Sequence, residues 1–260
     1  MEFMLASIRL PMQQVAGFVA QVCNPAPLVL DLLGLQKSPF VAQTRRGHRL
    51  LIRPNSGERF AFYENLIRRD YLSNGARLGE GDTVVDIGAN VGCFSVLAAS
   101  LIGSNGRLLA VEPGASSFEQ LHANLRLNEV GNVIAVRAAV GPQNGTVDLR
   151  VAGNSLFTSV FDHVDRHAVA GVTEQVSCQT IATLLADHDI DHVDLMKIDC
   201  EGGEYGIFDS MTADLAARID QISMEIHRLP NRTPEEIVQR LHQLGFQVRH
   251  TSPLYAHRIK

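Results

Sequence analysis

Three short stretches of this 260-residue chain hold side chains able to do chemistry. The first, Val84-Val85-Asp86-Ile87-Gly88-Ala89-Asn90-Val91-Gly92, passes from an apolar strand through a glycine-bearing turn into a helix. In an open α/β sheet, ligands sit at that junction, the carboxyl end of a strand. Gly88 lets the backbone turn tightly and come close to a ligand. Gly92 permits close packing at the helix start, and the free amides there favour an anionic group such as a carboxylate. The second stretch, Ala110-Val111-Glu112-Pro113, ends the next strand in an acid. The third is Asp194-Leu195-Met196-Lys197-Ile198-Asp199-Cys200-Glu201-Gly202-Gly203-Glu204, followed by Met224-Glu225-Ile226-His227. It gathers carboxylates and one imidazole at two adjacent strand ends.

A dinucleotide site requires Gly-x-Gly-x-x-Gly, whose middle glycine makes room for a pyrophosphate. Here Asn90 takes the middle place, the third glycine is absent, and Asp86 sets a negative charge just before the turn. Such a site repels a pyrophosphate and suits a ligand with a cationic end. S-adenosylmethionine, with its ammonium, sulfonium and carboxylate, fits these residues better than a nicotinamide dinucleotide. Glu112 is placed to accept the two hydroxyls of a ribose.

These side chains need a sheet to carry them. Thr83–Ile87, Arg107–Val111, Val133–Val136, Val193–Ile198 and Gln221–Met224 read as buried strands. Helices follow Gly92, with Phe94, Leu97, Ala98 and Leu101 on one face, and Ser117, where Ser117-x-x-Gln120 fits a capping box. Thr233-Pro234-Glu235-Glu236 opens a further helix with cap, proline and acids in order. Phe246–Arg249 and Tyr255–Ile259 read as a closing antiparallel hairpin, and residues 145–151 and 174–181 as extra strands. The result is a three-layer α/β domain over 80–260. Residues 1–79 read as an N-terminal appendage covering the substrate side: helices broken at Asn24-Pro25-Ala26-Pro27, then strands over 40–53 and 59–63.

The formal net charge is −5, with 23 Lys and Arg against 28 Asp and Glu. Dedicated nucleic-acid binders carry a basic excess, so that role is disfavoured. The basic cluster Arg45, Arg46, His48, Arg49, Arg53 reads as a solvated face. Apolar runs are too short and too interrupted to span a bilayer. Four cysteines without a Cys-x-x-Cys pair argue against a cysteine zinc site and for a reducing compartment. With no convincing signal peptide, the expectation is cytoplasmic. The apolar N-terminal helices suit a homodimer contact or a hydrophobic substrate carrier.

With Asp86-x-Gly-x-Asn-x-Gly and Glu112 together, the sequence resembles class I S-adenosylmethionine-dependent methyltransferases. The run from Asp194 to Glu204, with Met224-Glu225-Ile226-His227, resembles the signature of the FkbM family among them, over about residues 80–250. The resemblance implies a Rossmann-like fold with a mostly parallel seven-stranded sheet, and O-methylation of a hydroxyl on a polyketide, sugar or other secondary metabolite. It implies that Asp86, Gly88, Asn90 and Gly92 line the methionine end of the cofactor, that Glu112 holds the ribose, and that Ala138 and Ala139 pack the adenine.

Methyl transfer to oxygen requires that the acceptor be aligned and its proton removed. His227, with an ordinary pKa of about 6.5, or Glu201 is the expected base, with Asp199 and Glu225 orienting groups in the site. Lys197, in mid-strand, is placed to pair with an acid and steady the loop. The same carboxylates and histidine suit magnesium or manganese, but their spacing is no recognised ligand motif, so a metal-free site is favoured. Tyr63, Glu64, Tyr71 and Phe157 are candidate acceptor contacts. The rival readings are a nicotinamide-dependent dehydrogenase and a non-catalytic methyltransferase-like binding protein.

Overall fold

The computed structural model describes the backbone of residues 2–152 and 168–259, and side chains over 12–150 and 173–259. Phe157 lies outside the described residues. In chain order the elements are α1 (Glu2–Gln21), α2 (Ala26–Leu32), β1 (Phe40–Gln43), β2 (Arg49–Ile52), α3 (Glu58–Phe62), a π-helical turn (Tyr63–Arg68) and α4 (Asp70–Ser73). Then come β3 (Thr83–Ile87), α5 (Cys93–Ile102), β4 (Arg107–Val111), α6 (Ala115–Leu127), β5 (Val133–Val136), β6 (Ala139–Val140), β7 (Gly145–Ala152) and β8 (Ala168–Gln179). The chain closes with α7 (Ile181–Asp187), β9 (Leu195–Ile198), α8 (Glu204–Ser210), α9 (Ala213–Ala216), β10 (Gln221–Met224), α10 (Pro234–Gln243), β11 (Phe246–Arg249) and β12 (Leu254–Arg258).

Seven strands form the central sheet in the order β11-β12-β10-β9-β3-β4-β5. β12 alone runs against its neighbours β10 and β11; the pairs β10–β9, β9–β3, β3–β4 and β4–β5 are parallel. This is the Rossmann-like arrangement expected, including the C-terminal antiparallel hairpin. The strand pleat sends Val84, Leu108, Ala110 and Leu195 into one core, and Val85, Ile87, Leu109, Val111, Met196 and Ile198 into the other. Being covered on both faces, the central strands are mostly apolar, with Asp86 of β3 and Lys197 of β9 buried among the apolar side chains. The second core includes Leu184, Phe208, Ile237 and Leu241 from α7, α8 and α10.

The N-terminal elements build the first core together with α5 and α6: Phe18, Leu28, Leu50, Ile52 and Phe62 are buried in the same cluster as Leu97 and Leu121. The outer edge of β2 is closed by side-chain amides of α6. Arg49 N–H donates to Asn128 Oδ1 and Leu51 N–H to Asn124 Oδ1, while Gln120 donates to the Leu51 carbonyl. A free strand edge is thus paired without a further strand.

Three local expectations are corrected. Residues 59–63 are helical, not a strand: Phe62 and Leu66 are buried at an i, i+4 spacing that serves a helix packed on α1. The capping box at Ser117 is not used, because Gly114 is the N-cap and α6 starts at Ala115, so Ser117 and Gln120 lie inside the helix. The extra strands, β7 and β8, join β6 in a separate three-stranded sheet, and β8 stops at Gln179 because Thr180 caps α7.

Candidate active site

The carboxyl ends of β3, β4, β9 and β10 meet at one point. Asp86 on β3 and Lys197 on β9 are Cα partners across the parallel pair. Lys197 Nζ lies 3.2 Å from Asp86 Oδ1 and donates to the Gly88 carbonyl at 2.7 Å. Asp86 also accepts the Ser95 hydroxyl at 2.6 Å. Burial works against the ammonium, but Asp86 and Asp199 outweigh it and raise the lysine's pKa. The lysine thus ties the glycine turn to the strand below, as its mid-strand place suggested.

Gly88 has φ +74, and a Cβ there would stand 1.7 Å from the Asp199 carbonyl oxygen. The two strand-end loops touch backbone to backbone, which no side chain at 88 permits. Gly92 (φ +86) is the N-cap of α5, with Leu121 Cδ1 2.5 Å from where its Cβ would be. Between them Asn90 also takes a left-handed φ, +49, and its Oδ1 is buried without a hydrogen-bond partner. Glu112, at the end of β4, accepts the Asn90 N–H at 2.8 Å and the Gly114 N–H at 2.9 Å. It therefore joins the glycine turn to the start of α6. Burial raises its pKa to about 7 despite those two bonds.

The catalytic candidates come together on the β9 and β10 ends. His227 Nδ1 is 3.0 Å from Oε1 of Glu204, which is fully buried. His227 Nε2 lies 3.4 Å from Glu201 and 4.0 Å from Asp199. Burial disfavours the imidazolium, but the hydrogen bond to Glu204 and the charges of Glu204, Glu201 and Asp199 raise its pKa to about 10. The ordinary value expected from sequence therefore does not apply: His227 is an imidazolium near neutral pH. Glu201 is raised to about 7, first by burial, then by neighbouring carboxylates acting against the lowering effect of His227. Its φ of +51 holds it in a strained backbone state of the kind that gathers at functional sites. Glu225 is raised by burial and by Asp199.

The acceptor candidates separate. Glu64, on the π-helical turn, faces this cluster; burial and the charges of Glu225, Asp70 and Asp199 push its carboxyl to about 8. Tyr71 donates its hydroxyl to Asp199 at 2.8 Å, but its ring is buried under Lys197 and edge-on to Phe94. It is a supporting group rather than an open contact surface. Tyr63 packs edge-on against Phe18, with its ring buried in the first core. Ala138 is buried in the second core, whereas Ala139 lines a cavity of 350 Å³ with Pro142, Val147, Cys178, Gly203 and Gly206. Sequence reasoning placed Glu204 among the strand-end carboxylates without giving it a role, and held no signal for the Tyr71–Asp199 bond across 128 positions. Asp199, Glu201 and His227 offer ligand atoms within 4.8 Å of one another, a spacing that also suits a divalent cation.

Residues 86–248 match the methyltransferase FkbM domain family. The chain belongs to that family. Membership makes it a methyltransferase rather than a nicotinamide-dependent dehydrogenase. A relative described as 31-O-demethyl-FK506 methyltransferase FkbM, from Streptomyces tacrolimicus, is 27% identical over 231 residues, covering 78% of this chain and 87% of the relative. Methyltransferase 1 of Beauveria bassiana is 24% identical over 159 residues, 55% of this chain and 64% of that protein. Among solved structures, an FkbM methyltransferase from Methylobacillus flagellatus aligns with TM-score 0.45 at 17% identity, over 71% of this chain and 45% of that one. Aeropyrum pernix fibrillarin with bound S-adenosyl-L-methionine aligns with TM-score 0.46 at 14% identity, over 85% and 94%. Among the described residues no helix is long and apolar enough to cross a membrane.

Proposed function

We propose that this FkbM-family enzyme transfers a methyl group from S-adenosylmethionine to a hydroxyl of a small molecule such as a polyketide or a sugar. The observation that carries the reading is the meeting, at the carboxyl ends of β3, β9 and β10, of the Asp86–Gly88 turn with the Asp199, Glu201 and His227 cluster. The residues fit the cofactor. Asn90 Oδ1 is an orphaned acceptor at the turn, suited to an ammonium. Glu112 keeps lone pairs beyond its two backbone bonds, enough for ribose hydroxyls. The cavity lined by Ala139, Gly203 and Gly206 offers room for a flat base. When bound, the cofactor supplies an electrophilic methyl on a cationic sulfur.

The chain's own residues do the rest. Glu201, with its pKa near 7, accepts the acceptor's hydroxyl proton. His227, held as an imidazolium by Glu204, fixes the Glu201 carboxylate from 3.4 Å. Asp199, anchored by the Tyr71 hydroxyl, and Glu225 orient the acceptor. Glu64 borders it, and residues 1–79 serve as the cover of that side. A cleft of 760 Å³ opens beside Glu225, with Arg228, Pro234 and His250 on its walls, and gives the remainder of an acceptor space. The test is incubation with isotopically labelled methyl donor and a panel of hydroxylated acceptors, followed by mass spectrometry. Label on an ether oxygen is expected; label on nitrogen or carbon overturns the reading.

A further inference from the structure

The N-terminal elements expose a surface unlike that of the other described residues. Of the seven large apolar side chains that stand exposed among the described residues, six fall between positions 12 and 41: Met12, Val19, Leu30, Leu33, Leu35 and Val41. Helix α1 buries Gln14 and Phe18 along one face, and Val22 is buried just past its end. Its opposite face presents Met12, Ala16 and Val19, a stripe at i, i+4 and i+7. A surface helix of a water-facing protein carries charges there, yet residues 12–21 contain none. Met12, Leu33 and Leu35 are 60–66% exposed, so they project from the surface rather than line a groove.

Cations are placed beside these side chains. Arg45 Nε donates to the Ala20 carbonyl at 3.0 Å, next to Val19. Lys37 Nζ donates to the Gly34 carbonyl at 3.0 Å, between Leu33 and Leu35. Arg46 follows Arg45 in the β1–β2 turn and is exposed. Across residues 12–57 the cations are Lys37, Arg45, Arg46, Arg49 and Arg53, and Asp31 is the sole acid; Arg49 pairs with Glu129 and Arg53 with the buried Glu58, which leaves Lys37, Arg45 and Arg46 for the surface. Asp31 is buried and occupied by Arg59 and the Asn55 amide. The chain as a whole is −5, so this stretch departs in sign from the chain's overall balance.

We propose that this face docks on an anionic lipid bilayer surface. Apolar side chains that enter the headgroup region, flanked by cations that meet anionic lipids, are what interfacial attachment needs. A symmetric pair of copies would bring two sets of cations into one two-fold interface, which disfavours a second copy as the occupant. Attachment places a methyltransferase at the interface where apolar acceptors concentrate.

The test is flotation of the full chain with vesicles of neutral phosphatidylcholine and with vesicles containing about one-third phosphatidylglycerol. Binding is expected to the anionic vesicles and not to the neutral ones, falling as salt shortens the screening length. Lys37→Glu with Arg46→Glu should lower it by more than about tenfold, at roughly fivefold or more per cation reversed. Leu33→Asp with Leu35→Asp should abolish it, with circular dichroism and melting temperature unchanged. Absence of binding to anionic vesicles overturns the proposal, as does binding that neither double variant weakens. A stable dimer that Leu33→Asp with Leu35→Asp dissociates also overturns it, because a second copy would then cover the face.

Discussion

Replacing Lys197 by methionine removes a charge while keeping most of the side chain's volume. Asp86 is fully buried and Lys197 is 3% exposed, so water cannot take the lysine's place. At 3.2 Å and an effective dielectric of about 20, the attraction between the pair is about 5 kcal/mol. Breaking a buried pair by removing one partner costs about 3–5 kcal/mol. The Gly88 carbonyl also loses its donor at 2.7 Å. For a chain of this length, each kcal/mol moves the melting temperature by about 2–4 °C, so Lys197→Met should melt about 10 °C below the parent. The Ser95 hydroxyl still faces Asp86 but cannot neutralise it. Adding Asp86→Asn removes the stranded charge, and the double variant should recover at least half of the loss. Differential scanning calorimetry on parent, both singles and the double gives the coupling directly. A Lys197→Met melting point within about 2 °C of the parent, or singles whose effects simply add, would refute the reasoning.

Two further outcomes follow from the same geometry. The rate should trace a bell against pH, rising through about 7 as Glu201 loses its proton and falling towards about 10 as His227 does; Glu201→Gln should erase the rising limb, and its persistence near 7 would assign that limb elsewhere. Gly88→Ala places a Cβ 1.7 Å from a backbone oxygen at φ +74, so the variant should be insoluble or melt well below the parent, and unaltered melting contradicts the backbone contact.

Much of the sheet was legible because parallel strands buried on both faces are written as largely apolar runs, as in Thr83–Ile87, where only Asp86 interrupts the apolar residues after Thr83, and in Leu108–Val111. Asp86, Gly88 and Gly92 were legible because the strand-to-helix turn imposes glycine locally. Residues 59–63 misled because Phe60, Phe62 and Tyr63 have strand-like side chains, while their placement is decided by Phe18, some forty positions away. The protonation of His227 was not legible either. Its base-like pKa is a property of an isolated imidazole, and Glu204, Glu201 and Asp199 reach it only once β9 and β10 lie side by side. Tyr71 and Tyr63 looked alike in sequence, yet one hydroxyl meets Asp199 and the other ring fills the N-terminal core.

Calorimetric titration of the full chain with S-adenosylhomocysteine and, separately, with NAD tests the central claim most directly. The chain should take up the first with a stoichiometry of one and give no heat with the second. Glu112→Gln should weaken that binding about tenfold or more, the usual worth of a hydrogen bond to a charged group. Heat with NAD and none with S-adenosylhomocysteine would contradict the account.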